Sequence, residues 1–427
     1  MLSDEVIEKV TERLLNRIEQ TNEYILKTIG ESIKKIGTLT PTNAQRLGNI
    51  IKYGGSYDKI VKRLAQTTKL NIKDVYAIFE EVSKSDYQFA KQFYEYRNKK
   101  FIPYKDNIAL KNQVEALSRI TAQEYINFTK TTSVGLGLID KDGTITIKQL
   151  KKAYYDLLDE AVLSISQGKE TFQEAMTRQL EQIGDSGVRV IFPSTYMSKD
   201  SKGRLIEKNK TMRLDSAIRM QLKDALANLH TKNQEMIGEE IEADGMEITT
   251  HSYPAEDHEL AQGRQFSIKE FNKLQSDGYA TTYDGIQIDL HRQLKSGEPT
   301  KTFRPITKLN CYHKVISIVL GVSKPLHTNE ELQKIIDNNE KGFEFEGNKY
   351  TLYEGSQLQR QIELEIRKQK EKQMLGKSIN SEKMIFKSQE KIRQLTQKYK
   401  ELSKASGLPT KVDRMKVIGY KRVALNK

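Results

Sequence analysis

"SDEVIEKVTERLLNRIEQTNEYILKTIGESIKKIG", Ser3 to Gly37, opens the chain with one unbroken helical pattern. Ile7, Val10, Leu14, Ile18, Ile25, Ile29, Ile33 and Ile36 recur three, four or seven residues apart. Such spacing stacks them into one apolar stripe along a single long helix. Ser3 is a suitable N-cap, and Pro41 restricts the residue before it, so the helix ends before that proline. Shorter helices are predicted to follow in SYDKIVKRLAQT (Ser56–Thr67), NIKDVYAIFEEVSK (Asn71–Lys84) and KDNIALKNQVEALSRITAQEYINFTKTT (Lys105–Thr132). Gly54-Gly55 and Pro103 serve as the breaks between them. Tyr76, Phe79, Phe89, Phe93, Tyr94 and Tyr96 fall at helical spacings and read as core or as a protein-contact face.

Beyond residue 135 the pattern mixes. Helices are expected in KQLKKAYYDLLDEAVLSI (Lys148–Ile165), TFQEAMTRQLEQIG (Thr171–Gly184) and TMRLDSAIRMQLKDALANLHTKNQEMIGEEI (Thr211–Ile241). GVRVIFPS (Gly187–Ser194) alternates as a strand should, and MSKDSKGRL (Met197–Leu205) reads as a turn. DGMEITTHS (Asp244–Ser252) turns and then alternates, and GFEFEGNKYTLYEG (Gly342–Gly355) is a hairpin candidate with its turn near Gly347-Asn348. Capping-box spacing opens two more helices, at Ser267…Glu270 and Thr328…Glu331. IDKDGTITIKQL (Ile139–Leu150) has the look of a calcium loop but not its spacing. Counted from Asp140, the glycine arrives two positions early and Lys151 stands where the bidentate glutamate belongs. A turn between two short strands or helices is the better reading.

Charge is distributed unevenly. Of the net +13 on 427 residues, the stretch Gln357–Lys427 carries nearly all, with 19 Lys and Arg against 7 Asp and Glu. Two charged helices broken near Gly376 are predicted there, the second with a seam of Ile385, Ile392, Leu395, Tyr399 and Leu402, followed by a basic arm from Leu408. A basic end on a nearly neutral body points either to a polyanion or acidic partner or to a solvated helical face. The single cysteine excludes an intrachain disulfide, as expected of assembly in a reducing compartment. The longest apolar run, Val315–Val322, is far too short to cross a bilayer, and the acidic start does not read as a secretory signal.

Two windows concentrate reactive side chains: THSYPAEDHELAQGRQFS (Thr250–Ser267) and RPITKLNCYHKVISIVLGVSKP (Arg304–Pro325). Cys311, His313, His251 and His258 supply one thiol and three imidazoles, a conceivable zinc set with Asp257 nearby. Cys-x-His is not a common ligand spacing, however, and a lone cysteine beside an apolar run is ordinarily a small buried hydrophobe. Asp257 and His258 could equally satisfy the backbone of an irregular loop. No phosphate-binding loop, dinucleotide fingerprint or nucleophile elbow occurs.

The two windows, together with the helix RLDSAIRMQLKDALANLHTKNQEMIGEEI leading into the first, resemble the phage minor capsid protein 2 family of tailed bacteriophages. The likeness runs from Met1 through the LPTKVDRMKV tail. The layout is also similar to that of Mu F-like head-morphogenesis domains. The matching positions are Arg213 and Ser216; then His251, Asp257, His258, Gln262, Gly263 and Phe266; then Arg304, Pro305, Asn310, Cys311 and His313. The Mu F-like pattern ends His-Pro-x-Cys-Arg-Cys, where this chain has LNCYH.

The resemblance implies a low-copy virion protein, taken into the procapsid near the portal vertex and made in the host cytoplasm. Portal, major capsid or scaffold proteins would be its partners, with no established catalytic activity. The expectation is therefore an α+β fold, mostly α. It divides into a helical region over residues 1–135, a central α+β module over 136–356 and a basic helical hairpin and arm over 357–427. The expected function is that of a structural head protein without a cofactor, touching packaged double-stranded DNA through its basic end. The alternative is a zinc-dependent hydrolase of nucleic acid or cell wall built on the same two windows.

Overall fold

The structure is a computed structural model that describes residues 4–36, 43–139, 145–166, 172–199, 203–293, 299–308, 311 and 313–421. Ser3, Pro41, the loop at 140–144 and Asn310 fall outside them.

Three long helices begin the chain: α1 (Asp4–Ile36), α2 (Asn43–Tyr96) and α3 (Ile108–Thr129). The stripe on α1 behaves as its spacing requires, with Leu14, Ile18, Ile25, Ile29 and Ile33 fully buried. Gly54-Gly55 breaks nothing. α2 runs 54 residues straight through the pair. A mid-helix glycine costs only about 1 kcal/mol relative to alanine. Burying Tyr57, Ile60, Leu64, Val75 and Phe79 on the same helix outweighs that several times over, at about 1.5–3 kcal/mol each. Asn71 stitches the three helices, its amide nitrogen donating to the Leu14 carbonyl at 3.3 Å and to the Tyr125 hydroxyl at 2.6 Å. Asn107 caps α3 by accepting the Leu110 N–H at 2.9 Å.

Next come β1 (Val134–Ile139), β2 (Ile145–Gln149), α4 (Leu150–Ser166), α5 (Phe172–Ser186), β3 (Val188–Lys199), β4 (Leu205–Arg213) and α6 (Leu214–Glu240). The strands form one antiparallel sheet in the order β2-β1-β3-β4. β1 and β2 pair with Ile139 opposite Ile145, so of the strands or helices expected on either side of residues 140–144 the structure has strands. Two expectations give way here. The strand beginning at Val188 continues through Met197–Lys199, and Leu205–Arg213 is a strand rather than turn and helix. Tyr196, Met197 and Leu205 are all exposed, so neither face of this outer hairpin is buried. Without a buried face the sequence shows no two-residue hydrophobic period.

The second half contains β5 (Gly245–Ile248), β6 (Gln265–Ser267), α7 (Ile268–Asp277), β7 (Tyr279–Thr281), β8 (Gln287–Asp289), β9 (His291–Gln293), β10 (Pro299–Phe303) and β11 (Val315–Ile318). It continues with α8 (Asn329–Lys341), β12 (Phe343–Phe345), β13 (Asn348–Tyr350), α9 (Leu352–Ser378) and α10 (Glu382–Ser406). β11, β5 and β6 make a three-stranded antiparallel sheet in which Val315 faces Ile248 and Met246 faces Phe266. The capping box at Thr328 and Glu331 is present. At Ser267 only half of it forms, because the Glu270 carboxylate turns away to accept the Thr281 N–H at 2.7 Å.

Three apolar cores result. The largest draws on α1 to α6, β1 and β3, and also takes Leu375 and Ile379 at the end of α9 and Met384 of α10. A second lies around Met246, Phe266, Phe271, Ile306 and Val315. The third joins Phe343, Ile362, Ile366, Tyr399, Leu402 and Met415. The helical hairpin of α9 and α10 turns at Ile379–Asn380, not at Gly376. Gly376 lies inside α9, where a Cβ would press on Ile385 and Met384 at 3.1 and 3.2 Å, so the glycine permits the two helices to approach. The basic arm folds back along α9. Lys370 donates to the Met415 carbonyl at 2.7 Å, and its ammonium sits 5.1 Å from the Tyr420 ring centre. No helix among the described residues is long and apolar enough to cross a membrane.

Candidate functional site

The loop between β5 and β6 makes a tight helical turn at its centre. The His258 N–H reaches the Ala255 carbonyl, and the Ala261 and Gln262 N–H groups return to the His258 carbonyl at 3.2 and 3.1 Å. Gly263 closes the turn at a φ of 68°, a conformation that glycine adopts freely, with its N–H on the Ile248 carbonyl at 2.8 Å. Phe266 follows in β6 and plugs the second core, fully buried. The segment between β10 and β11 lies over this loop. Arg304 grips Asp257 with two nitrogens, at 2.8 and 3.2 Å, a paired geometry in which Asp257 is buried.

Inside the clamp, Cys311 Sγ lies 3.3 Å from His258 Nδ1 and 3.3 Å from His313 Nδ1. His258 Nε2 sits 2.7 Å from the Arg304 carbonyl oxygen, and His313 Nε2 is 3.3 Å from Gln262 Oε1. That same Gln262 oxygen accepts the His251 N–H at 2.8 Å. His258, Cys311 and His313 are all buried, and their ligand-capable atoms lie within 4.8 Å of one another. These three could hold a metal ion. His251, the fourth member of the expected zinc set, is not part of that convergence. Its ring packs edge-on against His313 with centroids 4.6 Å apart. Burial pushes the Cys311 thiol above its ordinary range, against the opposing pull of the His313 and Thr307 backbones. Burial, followed by the neighbouring His251 and His258, holds His313 well below the usual histidine range, so it is neutral near pH 7.

Cys311 and His313 also line a cleft of about 280 Å³ whose far wall is α9 and the arm, including Arg360, Glu363, Lys411 and Arg414. Of the residues singled out in sequence, the structure thus gathers Asp257, His258, Gln262, Gly263, Arg304, Cys311 and His313, with His251 at the rim. Ser216 is elsewhere, lining a separate cleft between α6 and α9 with Arg219 and Arg367. Arg213 is not on a helix face but at the junction of β4 and α6.

Arg213 belongs instead to a buried ionic network that sequence reading missed. Its Nε donates to Asp215 Oδ1 at 3.2 Å and its Nη2 to Glu371 at 2.6 Å, while Arg367 of α9 bonds the other Asp215 oxygen. Glu19 of α1 stands 4.0 Å from Arg367. Burial alone would raise the Asp215 carboxyl, but Arg367, Arg213 and Arg219 outweigh it and hold that carboxyl far below the usual range. Burial pushes Glu19 the other way, up to about 7. A second missed pair is His230 Nδ1 on Asp86 at 2.5 Å, with His230 Nε2 on the Val315 carbonyl at 3.0 Å, linking α2, α6 and β11. Helical spacing from the buried Leu226 would have placed His230 on the inner face of α6. No periodic signal marks the partners of Arg213.

A family sequence model described as phage minor capsid protein 2 matches residues 2–403, nearly the whole chain. No curated protein and no solved structure matches it.

Proposed function

The chain belongs to the phage minor capsid protein 2 family, a structural protein of the phage particle, and from that premise we propose that it sits at the portal vertex and touches packaged DNA. The observation that carries the DNA contact is the outer face of α10. Met384, Tyr399 and Leu402 face inward, while Lys383, Arg393, Lys400 and Lys404 are exposed on the opposite side, against three exposed acids, Glu382, Glu390 and Glu401. At 1.5 Å per residue this face spans about 30 Å, enough to follow several phosphates.

Much of the remaining positive charge of residues 357–421 is turned inward. Arg367 binds Asp215 and Lys372 binds Asp185, both on side chains that are largely covered. Isolating the carboxy-terminal fragment would therefore strip α9 from its partners, and the full chain is the proper probe. If about four phosphates are met at once, its DNA affinity falls on the order of 100-fold between about 50 and about 200 mM salt. Changing Arg393, Lys400 and Lys404 to Gln reduces the logarithmic salt slope by about 3. Binding without salt dependence, or a slope unaltered by the triple change, refutes the DNA contact.

The helical amino-terminal half supplies the protein-contact face in this reading. Tyr96 and Ile108 are 70% and 71% exposed, and Phe89 and Ile120 lie open on the same pair of helices, α2 and α3. Changing Tyr96 and Ile108 to Asp abolishes co-purification with portal rings while leaving the melting profile intact. Retained portal binding would remove this face from the proposal. We assign the cluster at Cys311 a bracing role, since it ties loops some fifty residues apart in sequence. Nuclease or cell-wall hydrolase activity of the purified, zinc-supplemented protein, lost in a Cys311→Ser variant, would reverse that assignment.

A further inference from the structure

Ser216 and Arg219, in the first turns of α6, line a cleft of about 280 Å³ that α9 and the arm close from the other side. Arg360 and Arg367 of α9 and Arg414 of the arm line it too, and Glu363 is the one carboxylate in its wall among the described residues. Four guanidinium groups from three separate elements therefore share one small space.

Arg367 is matched already, since it bonds Asp215 and stands 4.0 Å from Glu19. Arg219 has no hydrogen-bond or close ion-pair partner among the described residues. Burial and then the neighbouring Arg367 hold its guanidinium below the usual arginine range, with Arg414 adding to them and Asp215 and Glu19 opposing. Neither acid is well placed to help further. Both Asp215 oxygens are engaged, by Arg213 and Arg367, and Glu19 is pushed up to about 7. Glu363 faces Arg414 and Arg360, but it accepts the Tyr399 hydroxyl at 2.8 Å and burial raises its carboxyl. Arg219, Arg360 and Arg414 thus outnumber the carboxylates left to them. An excess of one charge in a half-buried cleft is costly unless a counter-ion joins it.

The donors define that ion. Arginine forks match oxyanions, and forks arriving from α6, α9 and the arm distribute their N–H groups around a centre. This suits a tetrahedral oxyanion with several oxygens better than a planar carboxylate with two. The amino-terminal end of α6 adds a dipole of the favourable sign.

We propose that Arg219, Arg360 and Arg414 bind one phosphate group in this cleft, with Ser216 in its wall. Binding would tie the arm to α6. Free phosphate and the phosphodiester of nucleic acid offer the same oxygens, and competition between them tells which is the occupant. None of these residues belongs to the outer face of α10, so the site does not depend on the DNA contact assigned there.

Inorganic phosphate is the probe, titrated calorimetrically into the full-length chain at low ionic strength with chloride as the control anion. One equivalent should bind and chloride should not replace it. Arg219→Gln should weaken binding by about tenfold or more, the worth of one hydrogen bond to a charged group. Lys383→Gln on α10 should leave it unchanged. Phosphate should raise the melting temperature of the wild type and not that of Arg219→Gln. Without phosphate the variant should melt no lower than wild type, because the change relieves repulsion from Arg367 and Arg414 and orphans no carboxylate. A short DNA duplex that displaces bound phosphate identifies the phosphodiester as the occupant, and one that leaves it in place identifies the free anion; either result supports the site. Absence of phosphate binding in the wild type, equal binding of chloride, or an affinity unaltered in Arg219→Gln each overturns the proposal. So does a phosphate-free variant that melts well below wild type, since Arg219 would then be paired within the fold.

Discussion

Replacing Asp215 by Asn removes one negative charge from between two guanidinium groups. Arg213 is 3% exposed and Asp215 2%, so water cannot substitute for the lost carboxylate. Arg213 keeps Glu371 at 2.6 Å, but Arg367 is left with Glu19 at 4.0 Å. Burial pushes the Glu19 carboxyl up and Asp215 adds to that push, so the variant eases Glu19 toward ionisation and lets it take over part of the lost pairing. Breaking a buried pair costs about 3–5 kcal/mol, and the surviving amide oxygen argues for the lower end, about 3 kcal/mol. For a unit of this size that lowers the melting temperature by roughly 6–12 °C.

Location matters as much as magnitude, because Asp215 begins α6 whereas Arg367 and Glu371 belong to α9. Calorimetry should show the loss, and hydrogen exchange should show α9 opening first. Replacing Asp215 and Arg367 together by Leu should recover part of the stability, since Arg367 is then no longer a buried charge without its carboxylate while Arg213 keeps Glu371. The Asp215 carboxyl is depressed in the fold, so its contribution is complete above its ordinary value of 3.8 and is lost only as pH falls below that. A D215N melt within about 1 °C of wild type at neutral pH would refute the reasoning. So would a loss of stability without faster exchange in α9.

Glu19→Gln should act with the opposite sign and in another pH window. The folded carboxyl keeps its proton up to about 7 and the unfolded one releases it near 4.5, so wild type loses stability as pH rises between those values. Gln has no proton to release, and the variant should match wild type at about pH 4 and exceed it by up to about 3 kcal/mol at about pH 8. Parallel melts across that range check it, and a constant difference contradicts it. Gly263→Ala should destabilise the second core by more than about 1 kcal/mol. Its φ is 68°, and the new Cβ would fall 2.3 Å from a Leu332 methyl and 2.9 Å from that of Thr250. An unchanged denaturant midpoint would show that this loop shifts freely.

What was legible in sequence is what burial makes periodic. The isoleucines of α1 announced their helix because one face of it is entirely inside. β4 announced nothing, since Glu207, Lys208 and Lys210 stand on a hairpin open to water on both sides. Gly54-Gly55 misled because local propensity is weak beside a long buried stripe. At the site, composition identified Cys311, His258 and His313, whose rarity in this chain draws the eye. It could not separate His251 from them, because which imidazoles converge depends on how two distant loops cross. The ionic network was illegible for a related reason: Asp215 and Arg367 are common residue types more than 150 positions apart. The charge count found the basic end, but only the packing of α9 revealed how much of that charge faces inward.

Reconstruction of procapsids assembled with and without the portal ring tests the assembly role most directly. The account places density for this chain at the single portal vertex, its α2–α3 face against portal subunits and α10 turned toward the lumen, and requires that density to vanish when the portal is omitted. Even incorporation around the shell regardless of the portal, or absence from both particles, would contradict it.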